Sequence, residues 1–124
     1  MSGKAALLDS NIIIYISRGE LDFISIVVDY DDIQISIISY MEVLGFKFRD
    51  DIEKQKVIDL LDNFEIIWLN KSIVEEVISI RQKIKISLPD AIIAASARTL
   101  KFDLFTRNIN DFKNISGLNV INPF

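Results

Sequence analysis

The sequence predicts an α/β sandwich, with helices on both faces of a central, mostly parallel sheet of four to five strands. Three observations lead there. Short apolar runs such as "AALL" lack any polar alternation, as strands buried on both faces do. Stretches of helical length and amphipathic pattern separate those runs, which implies parallel crossovers. Of 124 residues 50% are hydrophobic, with 4 Gly and 2 Pro, so the chain reads as one well-packed domain spanning residues 1–124.

Taken in order, "AALLD" is a short buried strand ending on Asp9. "SNIIIYISRGE" and "LDFISIVVDY" are helical segments broken near Gly19, and "DDIQISII" is a second strand by its β-branched content. "SYMEVLGFKF" and "DIEKQKVIDLLDNF" read as helices, the second with Ile52, Val57, Ile58, Leu60, Leu61 and Phe64 mostly on one face. "EIIWL" is a third strand, with Trp68 expected in the core or an interface, and "SIVEEVISIRQKIK" a long amphipathic helix. "LPDAIIAASARTLKF" opens on Pro89, suited to a first helical turn, and continues in alanine-rich sequence. "DLFT" and "LNVINPF" supply the last strands, the final one stopped by Pro123. No repeat or linker interrupts the pattern.

Composition narrows the chemistry. No apolar run approaches the roughly 18–20 residues of a membrane helix. The opening "MSGKAALLD" lacks the apolar region of a signal peptide, so a cytoplasmic protein is expected. With 0 Cys there are no disulfides or thiol nucleophiles, and with 0 His no Ser-His-Asp or Cys-His system is available. An enzyme of this composition works through carboxylates, and an oxygen-liganded ion such as Mg²⁺ or Mn²⁺ suits them. The net charge of −4 argues against a broad nucleic-acid-coating surface but leaves room for local basic patches.

Ligands of a parallel α/β sheet bind at the carboxyl ends of its strands. Asp9 ends the first strand. Glu42 is expected in the first turn of the helix after the second strand, and Asp90 follows Pro89 in the first turn of the alanine-rich helix. Asp111 lies in "TRNINDF" after the fourth strand, with Asn108 three residues earlier. Oxygen-bearing side chains gathered at one edge repel one another unless a cation joins them, and a hard divalent ion answers that need.

"LLDSN", "SYMEVLG", "LPDAIIAASA" and "LFTRNINDF", in that order and spacing, resemble the signature of PIN-domain proteins, in particular VapC-type toxins of prokaryotic toxin–antitoxin pairs. The resemblance spans nearly the whole chain and implies a PIN-like three-layer α/β/α sandwich. It also implies a Mg²⁺- or Mn²⁺-dependent endoribonuclease, a homodimer held inactive by a cognate antitoxin, with Asp9, Glu42 and Asp90 as core carboxylates. Asn108 stands where the family often has Asp, and Asp111 matches an auxiliary acidic position. Ser10 replaces a more usual Thr. Asn11 and Thr106 match polar positions that orient the carboxylates by hydrogen bonds. Arg98, Lys101, Arg107 and Lys113 gather around the last two motifs as candidates for RNA phosphate contacts.

Structural roles stand beside these. Asp9 suits an N-cap, Ser39-x-x-Glu42 reads as a capping box, Asp90 complements a helix dipole, and Asp111 suits an N-cap for "FKNI". An aspartyl-phosphate phosphatase using Asp9 is disfavoured because Asn11 stands where such enzymes place a second Asp. A non-catalytic PIN-like module that binds protein or RNA is the alternative that Asn108 keeps open.

Overall fold

The computed structural model describes residues 4–124; Met1, Ser2 and Gly3 lie outside the described residues. The strands are β1 (Ala5–Leu8), β2 (Asp32–Ser36), β3 (Glu65–Ile67), β4 (Asp103–Phe105) and β5 (Val120–Ile121). They form one sheet in the order β3-β2-β1-β4-β5, and every pairing is parallel. The helices are α1 (Ser10–Ser17), α2 (Phe23–Val27), α3 (Ile37–Leu44), α4 (Asp51–Leu61), α5 (Lys71–Lys83) and α6 (Leu88–Leu100).

Alternation along the central strand sorts the core into two layers. Ala6 and Leu8 point to one face, where they meet Ile12, Ile13, Val43, Val57 and Leu61 from α1, α3 and α4. Leu7 points to the other, against Ile73, Val77 and Ile80 of α5 and the alanines of α6. Ala91, Ala94, Ala95 and Ala97 are fully buried, and their small side chains let α6 lie close to both α5 and the sheet.

The chain builds β1, β2 and β3 outward on one side, then crosses to place β4 and β5 on the other. The strand order therefore reverses beside β1, and the carboxyl end of β1 opens into the crevice where such sheets bind ligands. α5 and α6 pack head to tail, Glu76 early in α5 meeting Arg98 late in α6, and the N-terminus of α6 with Asp90 returns to the edge that carries Asp9.

Two sequence expectations need correction. The helix expected from Ser39 to Phe48 is α3, which starts at Ile37 because the Ser36 hydroxyl accepts a hydrogen bond from the Ile38 N–H at 3.2 Å and caps it. The second strand thus stops before Ile37-Ile38, and the helix ends at Leu44, capped by Gly45. Of the two settings expected for Trp68, the core is excluded and an interface is not: it is 64% exposed because the strand ends at Ile67. Truncating Leu7, fully buried at the sheet centre, is expected to cost about 2–5 kcal/mol, read as a lowered urea midpoint for Leu7→Ala.

Candidate metal centre

Asp9 is 5% exposed and N-caps α1 from the end of β1. Its backbone N–H donates to the Phe105 carbonyl at 2.9 Å, so the sheet ladder itself fixes the residue beside β4. Its Oδ1 accepts from the Ser10 N–H at 2.8 Å. Its Oδ2 accepts from the Thr106 hydroxyl at 2.8 Å and from the Asn11 amide at 3.3 Å. All of these donors are neutral. Among the described residues no Lys or Arg forms an ion pair with it. Burial raises the Asp9 pKa, the hydrogen bonds from Thr106 and Ser10 oppose the rise, and the charge of Asp111 adds to it.

Thr106 also accepts from the Asn108 N–H at 3.0 Å, while the Arg107 N–H donates to Asn11 Oδ1 at 3.3 Å. One hydroxyl and one amide thereby tie the loop after β4 to the start of α1.

Asp9, Glu42, Asp90, Asn108 and Asp111 line one cleft of about 350 Å³, joined by Ser10 and Asn11. Glu42 is raised by loss of water around its carboxyl and by the charges of Asp9 and Asp90, against a lowering hydrogen bond with Ser10. Asp90 is raised by burial and by Asp9 and Asp111, against its bond with Ser87. Each core carboxylate thus feels like charge from its neighbours. Every donor in the cleft is an oxygen or an amide, the set that suits a hard divalent ion. The fit is of composition and electrostatics rather than of closed geometry: among the described residues, no three acidic side chains are gathered closely enough to form a ligand cluster.

The PIN-domain family model matches residues 6–118. The chain belongs to the PIN-domain family. No curated protein matches it. Among solved structures, it is similar to a toxin–antitoxin complex from Klebsiella pneumoniae, at 34% identity and TM-score 0.79, over 96% of this chain and 98% of that one. It is also similar to VapBC2 from Rickettsia felis bound to a DNA fragment from their promoter, at 23% identity and TM-score 0.82, over 95% and 98% of the two chains. VapBC-1 from nontypeable Haemophilus influenzae follows at 23% identity and TM-score 0.74, over 95% and 97%. The last two share the fold. Together with the family match, these likenesses bear out the resemblance to a VapC-type PIN toxin.

Within this PIN domain the structural roles of the acidic residues divide. Asp9 does cap α1, so capping and placement in the cleft coincide. Ser39-x-x-Glu42 is not a capping box: Ser36 is the cap, Glu42 sits in the second turn, and the Ser39 hydroxyl is buried without a partner among the described residues. Asp90 occupies the first turn of α6, where the Ser87 hydroxyl accepts from its N–H at 3.3 Å. Asp111 closes the short 3₁₀ turn Ile109–Asp111, and no helix follows for it to cap.

The basic candidates scatter. Arg98 turns away from the cleft, held by Glu76 of α5 at 3.0 Å and by the Ser116 carbonyl at 3.0 Å. Lys101 caps the far end of α6, 13 residues long and so about 20 Å from end to end. Lys113 is exposed and outside the cleft lining. Arg107 is also outside the cleft lining; its backbone N–H meets Asn11 of the cleft, while its guanidinium stacks over Phe124 at 4.4 Å and Tyr15 at 5.0 Å. The sequence carried no signal for that stack, because the three residues come from separate segments.

Two outcomes are expected. The native carboxylates keep protons that the unfolded chain has released near pH 4, so their contribution to stability falls as pH rises through that range to their raised native values. The stability of Asp9→Asn relative to wild type, both in EDTA, should therefore grow as pH rises through that window, as urea unfolding at several pH values would show. Thr106→Val removes a donor to Asp9 and should weaken Mn²⁺ binding about 10–100-fold, measured by calorimetric titration.

Proposed function

We propose that this chain, a single PIN domain over residues 1–124, is the toxin of a VapBC-type toxin–antitoxin pair and acts as a Mg²⁺- or Mn²⁺-dependent endoribonuclease. One observation carries the reading most: a nearly inaccessible carboxylate, Asp9, held by neutral donors only and sharing its cleft with Glu42 and Asp90. PIN toxins are generally ribonucleases, and the 34%-identical relative is a toxin–antitoxin complex.

Asp9, Glu42 and Asp90 would hold the ion, with Asn108 and Asp111 on the cleft wall. When bound, a divalent cation activates water for attack on a phosphodiester and screens the charge that grows there. Thr106 and Asn11 keep the Asp9 carboxylate in one orientation. Glu42, its pKa raised by its surroundings, is suited to accept a proton from the attacking water nearer neutral pH than an ordinary glutamate. Arg107, next in the chain to Asn108 and fixed by its aromatic stack, would offer donors to a substrate phosphate.

The partners follow the same reading: an RNA substrate, a cognate antitoxin and a second copy of the chain. Exposed apolar side chains on α2 (Ile24) and on α5 (Val74, Ile78), and the exposed Trp68, support protein partners. Among the described residues no helix is long and apolar enough to cross a membrane, and a cytoplasmic setting belongs to the proposal. A non-catalytic binding module is the second reading, favoured by Asn108 in place of an acid and by the open spacing of the carboxylates.

Cleavage of a mixed tRNA and mRNA pool separates them. Wild type with Mg²⁺ or Mn²⁺ should cut, EDTA should abolish cutting, and Asp90→Asn should lose at least about 100-fold, equivalent to about 2.7 kcal/mol. Mn²⁺ should also stabilise wild type by about 2.7 kcal/mol at 100-fold excess over its dissociation constant, and Asp90→Asn should lose most of that thermal shift. A wild type free of antitoxin that cuts nothing with either ion would favour the binding module.

A further inference from the structure

The acidic cleft does not end at Asp90 and Asp111. Both residues also line a second, larger groove of about 810 Å³, whose other walls are Arg81 and Lys85 from the end of α5 and the turn after it, with Asn110 and Asn114 from the loop after β4. The two hollows share a wall, so any substrate longer than the cleft can continue along the groove.

The charges of this groove are available. Among the described residues neither Arg81 nor Lys85 is ion-paired, although Asp90 and Asp111 line the same groove. Arg81 is oriented by its own backbone, its Nε donating to the Ile86 carbonyl at 3.3 Å, which leaves its terminal nitrogens without a protein acceptor. The two asparagines add neutral donors and acceptors. The other arginines have partners of their own: Arg49 pairs with Glu53 and Arg98 with Glu76, while Arg18 lies over Phe46 and Arg107 over Phe124 and Tyr15. A protein with net charge −4 gains little from bulk attraction to nucleic acid, so unpaired cations placed against its acidic cleft have local work to do. Lys85, exposed just beyond the end of α5, lies in this wall.

We propose that this groove holds the strand of single-stranded RNA flanking the scissile phosphate, with Arg81 and Lys85 on its phosphates and the asparagines along its sugar and base edges. The inference rests on the ribonuclease reading for its substrate class. Two cations on one wall and amide side chains on the other suit a single backbone with its bases exposed rather than the two backbones of a duplex.

The test is anisotropy of a fluorescently labelled 12-nucleotide single-stranded RNA in EDTA, repeated over a range of salt, together with cleavage kinetics in Mn²⁺. Lys85→Ala is the first variant, because Lys85 is exposed and makes no hydrogen bond or ion pair; Arg81→Gln follows, with melting curves to show that each is folded. Each should weaken binding about three- to tenfold and reduce the salt slope by about one. In cleavage KM should rise while kcat holds, and Lys85→Arg should restore wild-type behaviour. Variants that are folded and bind with unchanged affinity and salt slope would overturn the inference. Binding is read without turnover, so the two ideas fail separately. Absent cleavage by wild type counts against the nuclease, whereas normal cleavage with groove variants indistinguishable from wild type counts against the groove alone.

Discussion

The carboxylate of Asp9 is the constraint around which the rest of this molecule is arranged. It stands at the end of the central strand, almost out of contact with water, and the groups that hold it are a backbone N–H, a hydroxyl and an amide. Neutral donors soften the cost of burying a charge but do not cancel it. A tightly paired arginine would have removed that cost and with it the capacity to attract a cation. The strand order makes the position possible. With β1 in the middle and the chain reversing beside it, Asp9 is flanked by β2 leading into α3, and by β4 leading into the Thr106 loop. Those two segments bring Glu42 and Asn108 to the cleft of Asp9 from far along the chain.

The same arrangement explains why like charges accumulate. Glu42 arrives on the second turn of a helix, Asp90 on the first turn of another, and Asp111 on a 3₁₀ turn, so each is fixed by its own backbone element. None can retreat far. Burial first, and the neighbouring like charges second, raises the pKa values of Asp9, Glu42 and Asp90. Stability given up at a site in this way is a common companion of function. Here it is offset by a dense two-sided core in which β1 contributes Ala6 and Leu8 to one layer and Leu7 to the other.

Much of this was legible in the residues. A continuous apolar run marked the central strand, because a strand buried on both faces has no polar side to show, and β-branched content marked the second. Amphipathic and alanine-rich stretches marked the helices, and the parallel crossover rule then placed Asp9, Glu42, Asp90 and Asp111 at one edge. What was not legible depended on contacts between segments. Ile37 and Ile38 favour a strand by propensity, yet the cap made by the Ser36 hydroxyl ends it first. Arg98 sits one motif away from the cleft in sequence, but Glu76 on the neighbouring helix takes it. Trp68 follows a buried strand and still emerges into solvent. The groove beside the cleft joins the turn between α5 and α6 to the loop after β4, a juxtaposition that no local pattern records.

Asn108 draws these threads together. Its backbone N–H is fixed by the Thr106 hydroxyl, the same group that donates to Asp9, so its side chain enters the cleft from a held position. An aspartate there would add a further like charge to a set whose members already raise one another, and would strengthen the pull on a second cation. An asparagine keeps an oxygen ligand while sparing Asp9 and Asp90 that repulsion. On the metal-dependent reading proposed above, this charge balance would favour one held ion over two, with the neutral amide at Asn108 and the exposed carboxylate of Asp111 on the cleft wall.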